Sequence, residues 1–280
     1  MDPFVSTQWL AEHIDDPEII VVDGTWYLPD AGRNARAEFE AGHIPGAVFF
    51  DIDAIADTSG GLPHMLPEPE IFARMAGALG IASDRTIVVY DEHGLFSAPR
   101  VWWSLRTMGA GDVRILSGGG PKWRLEGHPL EQGPSRAEPA RFDASFDATA
   151  IAAFDAVRAA SGDGSAQILD ARPAPRFAGE APEPRPGLRS GHIPASSNLP
   201  FTQLIADGKL KPAGELSKAF SALGIDRDRP VITTCGSGVT AAVLTLALAV
   251  TGARAVALYD GSWAEWGARV DPDAGSGSAQ

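Results

Sequence analysis

The tetrapeptide Gly-His-Ile-Pro occurs twice in this chain, at 42–45 and again at 191–194. Its surroundings repeat with it. Ile19-Ile20-Val21-Val22-Asp23 is answered by Gln167-Ile168-Leu169-Asp170, and Leu79-Gly80-Ile81 by Leu223-Gly224-Ile225. Residues 87–90 are answered by 231–234, and Leu116, Gly119 and Trp123 by Leu258, Gly261 and Trp266. Shared peptides in matching order mean a duplication, so whatever one half folds into, the other must also fit. In both halves short β-branched runs alternate with segments of helical character. That alternation predicts an α/β class protein of two tandem domains, each a mainly parallel sheet flanked by helices.

In the first half, helices are expected at Thr7–His13, Ala35–Ala41, Glu70–Leu79 and Ala98–Met108. Strands are expected at 19–23, 86–90 and 113–116. The first domain is drawn as 1–125 and the second as 147–270. Residues 126–146 turn to Pro, Gly, Glu, Arg and Ser and read as a linker. Residues 271–280, polar and rich in Gly and Ser, read as a flexible tail.

The halves differ at one telling place. Pro230-Val231-Ile232-Thr233-Thr234 leads into Cys235-Gly236-Ser237-Gly238-Val239-Thr240, followed by an Ala- and Leu-rich helical run. Cys235 is the chain's one cysteine. A short loop from strand end to helix start gathers backbone N–H groups around one point, and the helix N-terminus adds partial positive charge. Such a setting favours the thiolate, and two glycines let the backbone approach the sulfur. The plainer reading is a buried core cysteine, which leaves the flanking glycines without a reason. The first half has Asp91 at the matching position and a larger loop, Glu92-His93-Gly94-Leu95-Phe96. The nucleophile therefore belongs to the second half alone. His43 and His192 occur in both halves before a Pro turn and read as structural.

Charge narrows the partners. Twenty-three basic against 36 acidic residues give a net charge of −13, which argues against nucleic acid. A single cysteine allows no intrachain disulfide and no Cys-rich metal site. Residues 1–16 show no basic region followed by an apolar run, and no apolar stretch is long enough for a membrane span. A cytoplasmic protein with no membrane partner is expected.

These residues resemble the tandem-domain rhodanese family of sulfurtransferases, in which the first domain is inactive and the second carries a catalytic cysteine in a six-residue loop. Within it, Cys235-Gly236-Ser237-Gly238-Val239-Thr240 is similar to the loop of the mercaptopyruvate-using branch. Thiosulfate-specific members carry basic residues just after the cysteine, where this chain has the uncharged Gly236 and Ser237. The resemblance implies a loop of Gly236, Ser237, Gly238, Val239 and Thr240 that cradles a Cys235 persulfide. It implies substrate binding by Arg176 and Arg185, nine residues apart in a Pro-rich stretch, since Arg suits bidentate carboxylate binding. A solvated surface loop is the alternative for that stretch, which also holds Arg172 and Arg189. It further implies that Asp53 and His64, eleven residues apart in the first half, join Ser237 in a hydrogen-bonded triad.

The reaction so implied moves sulfur from a small-molecule donor to a thiol, a thioredoxin-like dithiol or cyanide, with no metal or organic cofactor. Thiosulfate:cyanide transfer is the nearest alternative, and a non-enzymatic sulfur carrier a more distant one. A cysteine phosphatase would need Cys-x5-Arg, and the sixth position after Cys235 is Ala241.

Overall fold

Ile19–Asp23 and Thr86–Tyr90 are buried along nearly their whole length, as strands covered on both faces must be. In the computed structural model, which describes residues 3–135 and 137–269, they pair in parallel from Ile19 opposite Thr86 to Asp23 opposite Tyr90. The sheet continues in parallel to Asp112–Leu116 and Phe4–Val5 on one side and to Val48–Phe49 on the other. This five-stranded sheet forms the first of two units, which takes in residues up to Asp57, Leu66–Ala148 and Asp207–Lys209. One face is packed with Leu10, Phe39, Ile44 and Trp123. Helices at Thr7–Glu12, Ala35–Ala41, Pro69–Ala78 and Ala98–Thr107 match the sequence expectation within a residue or so at each end. Residues 140–147 run along this unit. Ala140 N–H donates to Gly77 O at 2.8 Å, Ser145 N–H to Met108 O at 2.9 Å, and Phe142 is buried.

The second unit takes in Thr58–Met65, Thr149–Ala206 and the described residues from Leu210 to 269. Its sheet repeats the first, in the order Ile151–Ala152, Val256–Tyr259, Val231–Thr234, Gln167–Asp170, Ser196–Asn198, all parallel. Each strand occupies the place of its sequence counterpart, so the duplication is one of fold. The flexible tail expected at 271–280 lies outside the described residues. Thr58–Met65 comes from the first half of the sequence but clusters with the second unit, which places His64 there.

The two repeated histidines do the same work. His43 Nδ1 meets Phe39 O at 2.8 Å, and its ring stacks on Phe39. His192 Nδ1 meets Phe177 O at 2.9 Å, and its ring stacks on Phe177. A carbonyl only accepts, so Nδ1 carries the proton in both. The ring pins the end of a helix to the Pro turn.

Candidate active site

Val231–Thr234 is the central strand of its sheet, and Cys235 follows at its C-terminal end, buried. Parallel α/β sheets place ligands at this edge, because the strand-to-helix loops all open there. The next helix, Ala241–Val250, is apolar on every side and buried from Ala241 to Leu248. Each of its large buried side chains contributes roughly 1.5–3 kcal/mol. Packing therefore holds the helix in place, and its N-cap, Thr240, makes no side-chain capping bond.

The loop between is clamped from outside. Cys235 N–H donates to Ser262 Oγ at 3.2 Å, Trp263 N–H to Cys235 O at 3.0 Å and Ala264 N–H to Gly236 O at 2.9 Å. In a trans peptide the C=O and the following N–H point opposite ways. Tying the carbonyls of 235 and 236 to one side therefore turns the N–H groups of Gly236 and Ser237 to the other. Gly238 then bends the chain with φ 79°, a conformation suited to glycine. Ser262 itself sits at φ 50°, fully buried, and donates its hydroxyl to Tyr259 O at 2.8 Å. Strain at a buried, doubly bonded residue fits a position fixed for its neighbour's sake.

The first unit shows what such a loop collects. Asp91 Oδ2 accepts from the N–H groups of Phe96, Ser97 and Ala98 at 2.7, 2.8 and 2.7 Å, and Oδ1 from His93 N–H at 2.9 Å. Gly120 N–H donates to Asp91 O at 3.0 Å, the same clamp as Trp263 on Cys235. The first unit's loop thus folds around a carboxylate of its own. The second loop has a cysteine at that point.

Arg176 and Arg185 have defined partners. Arg176 lies on the short helix Ala174–Ala178. Its Nε donates to Glu183 Oε1 at 3.2 Å, and its Nη2 makes a short bond to Glu183 Oε2. Glu183 also accepts from Arg172 Nη1 at 2.8 Å. Arg172 in turn grips Asp170 through Nε and Nη2 at 2.8–3.2 Å, bonds Gly191 O at 2.9 Å, and lies over the Trp263 ring. The side chains of Asp170, Arg172 and Glu183 are each 1% exposed, against 19% for Arg176. Three buried charges satisfy one another, and the fourth reaches outward. Breaking one partner of such a buried set costs about 3–5 kcal/mol.

Arg185 Nη2 lies 3.0 Å from His64 Nε2. Ser237 is buried in the loop. Asp53 belongs to the first unit, where its Oδ2 accepts from Trp26 Nε1 at 2.8 Å. Among the described residues no group of three His, Cys, Asp or Glu side chains is placed to hold a metal ion, and no helix is long and apolar enough to cross a membrane.

The Rhodanese-like domain family matches residues 6–126 and again 153–269. The chain belongs to the rhodanese family. It is 51% identical to the 3-mercaptopyruvate sulfurtransferase of Escherichia coli (strain K12), over 96% of each chain. It is 42% identical to a thiosulfate sulfurtransferase of Cricetulus griseus, over 96% of this chain and 93% of that protein. The crystal structure of the 3-mercaptopyruvate sulfotransferase SseA from Escherichia coli superimposes with TM-score 0.88 at 48% identity, covering 94% of this chain and 99% of that one.

Within this rhodanese site, sequence reasoning missed Glu183, Arg172, Asp170 and Ser262. Glu183 lies among Pro and Glu residues that read as a solvated loop. Its signal was the presence of two Glu among three Arg over 172–185, which a folded loop can turn into mutual neutralisation. Ser262 stands 27 residues after Cys235, and only the bond its hydroxyl accepts from Cys235 N–H reveals it.

Proposed function

We propose that the protein moves the sulfur of 3-mercaptopyruvate to a nucleophilic acceptor through a persulfide on Cys235. The observation that carries this reading is the loop itself. Cys235 stands where the sister loop gathers four N–H groups on a carboxylate, so a negative outer sulfur has a ready cradle. The 51% identity to a 3-mercaptopyruvate sulfurtransferase supports the choice of donor.

In this reading Arg176 and Arg185 bind the carboxylate end of the donor. The Cys235 thiolate attacks the donor sulfur, a new S–S bond forms, and the C–S bond breaks with its electron pair left on carbon. The adjacent carbonyl holds that pair as an enolate, and protonation gives pyruvate. Ser237 and His64 are assigned to the proton delivery, His64 in the neutral form that accepts from Arg185; Asp53 enters by family resemblance. An acceptor then attacks the outer sulfur and returns the Cys235 thiolate. Thiols and thioredoxin-like dithiols leave as persulfides, and cyanide leaves as thiocyanate. Two covalent half-reactions make the kinetics ping-pong.

The test is mass spectrometry of the protein after mixing with mercaptopyruvate but no acceptor, with pyruvate assayed in parallel. One added sulfur on Cys235 and one pyruvate per site are expected. Loading from thiosulfate with neither adduct nor pyruvate from mercaptopyruvate would remove the choice of donor, and no adduct from either would remove the reading.

A further inference from the structure

The two halves of the chain do not repeat at a single spacing. Gly42-His43-Ile44-Pro45 recurs 149 residues on, at 191–194, but Leu79-Gly80-Ile81 recurs 144 residues on, at 223–225. The first half is therefore five residues longer between these marks. The fold places the excess. Asp207–Lys209 belongs with the first unit and Thr58–Met65 with the second. Residue 207 answers 58 by the first spacing, and 209 answers 65 by the second. Each half thus lends the same arm to the other unit, and the arms differ by those five residues, three against eight.

The short arm is a tight turn, with Asp207 at φ 49° and Gly208 at φ 68°. Its tip rests on the first unit's loop. A Cβ on Gly94 would stand 2.7 Å from Gly208 Cα and 3.0 Å from Gly208 O. These are backbone atoms, with no side chain to swing aside. Gly94, which is buried, stands three residues after Asp91, as Gly238 stands three after Cys235. The long arm lies differently. Its tip, residues 58–61, is exposed, and a Cβ on Gly60 or Gly61 would meet nothing within 4 Å. Only its base turns inward, where His64, at φ 62°, is buried and lies 3.0 Å from Arg185 Nη2. We propose that arm length decides which loop admits a reactant. Three residues lie on the loop around Asp91 and close it. Five more carry the other arm past the loop around Cys235, so that its tip stands clear and its base supplies His64. The first unit is thus shut from outside as well as filled from within by the Asp91 carboxylate. The proposal concerns access to Cys235; that the reactant is a sulfur donor rests on the reading above.

The test uses the chain's one cysteine as its reporter. The rate at which iodoacetamide alkylates Cys235 in the full chain is followed by mass spectrometry, with folding checked by thermal melting. Deleting residues 59–63 leaves an arm of three residues that still carries His64. Alkylation is expected to slow at least about tenfold, since the reaction needs an accessible thiolate, and mercaptopyruvate turnover should fall with it. Ser59→Gly, Leu62→Gly and Pro63→Gly together keep the length, and alkylation should stay within about threefold of wild type. A folded deletion variant alkylated as fast as wild type overturns the proposal. Equal slowing in the full-length glycine arm also overturns it, because side chains and not length would then be responsible. If the deletion variant does not fold, the converse experiment decides. In a chain carrying Cys235→Ser and Asp91→Cys, inserting Ser-Gly-Gly-Leu-Pro after Gly208 should raise alkylation at position 91 at least about tenfold over the same chain with its native arm. No rise there overturns the proposal. Failure of mercaptopyruvate to load Cys235 with sulfur would remove the donor and leave these rates to decide access.

Discussion

Arg185 donates from Nη2 to Nε2 of His64, 3.0 Å away. A guanidinium has donors only, so the imidazole must present a lone pair at that atom. His64 is therefore neutral when the contact is made, and its own backbone sits in the left-handed region at φ 62°. Residues 58–65 leave the first half of the sequence and cluster with the second unit. A proposed donor ligand is thus steadied by a residue outside the second domain as drawn from sequence.

Protonating His64 would set an imidazolium against the guanidinium and release Arg185. Wild-type kcat/KM for mercaptopyruvate should therefore fall as pH drops through the imidazole titration. His64→Ala should begin about tenfold lower, the worth of one charge-assisted contact, and should lack that acid limb. Profiles of kcat/KM against pH for both proteins check this. An unchanged limb in His64→Ala would assign it to another group.

Cys235→Ser should abolish sulfur transfer from every donor. A serine hydroxyl is not ionised at neutral pH and cannot hold a persulfide. Residual turnover above about 1% of wild type, in a preparation free of wild-type protein, would move the chemistry to another residue.

Asp91 tests the loop of the first unit. Its carboxylate satisfies four N–H groups and is fully buried. Asp91→Ala leaves those donors to imperfect hydration, at about 1–3 kcal/mol for each one left unpaired. A loss of about 3 kcal/mol in stability is expected by urea unfolding. Turnover per folded enzyme should change less than threefold, ~0.65 kcal/mol in the barrier. A large kinetic loss in a stably folded variant would give Asp91 a part in the chemistry.

What the sequence made legible was what it states locally and twice. The sheet strands are β-branched runs, the cysteine loop is contiguous, and the repeat set one half against the other, which separated Asp91 from Cys235. The clamp on the loop was not legible, because Trp263 and Ala264 act through backbone N–H groups that any residue would supply. Glu183 was hidden for another reason. Three charges become buryable only when they meet, and nothing in Arg176–Arg185 read alone says that they do. Gly236 reads as a residue that lets the backbone approach the sulfur, and only the position of Arg176 shows what its Cβ would meet.

The two halves neutralise one buried aspartate in two ways, and this gives the last prediction. Asp170 ends its strand against Arg172, two residues on. Asp23 ends the equivalent strand, but the residue two positions on is Thr25, which offers its N–H at 2.9 Å and a short hydroxyl bond, and no charge. Burial outweighs these bonds and pushes the Asp23 carboxyl from 3.8 up to about 7. Below about pH 4 both folded and unfolded chains hold the proton, and the folded state bears no penalty. Between about 4 and 7 the unfolded chain releases it while the folded chain retains it, so stability falls as pH rises. Three pH units at 1.36 kcal/mol each set an upper bound of about 4 kcal/mol. Asp23→Asn keeps an oxygen for Thr25 and cannot ionise. It should therefore match wild type within ~1 kcal/mol near pH 4, and at pH 8 should be the more stable by about 2–4 kcal/mol. Urea-unfolding midpoints at the two pH values measure the difference. Parallel pH dependence in the two proteins would show that Asp23 is ionised in the folded state.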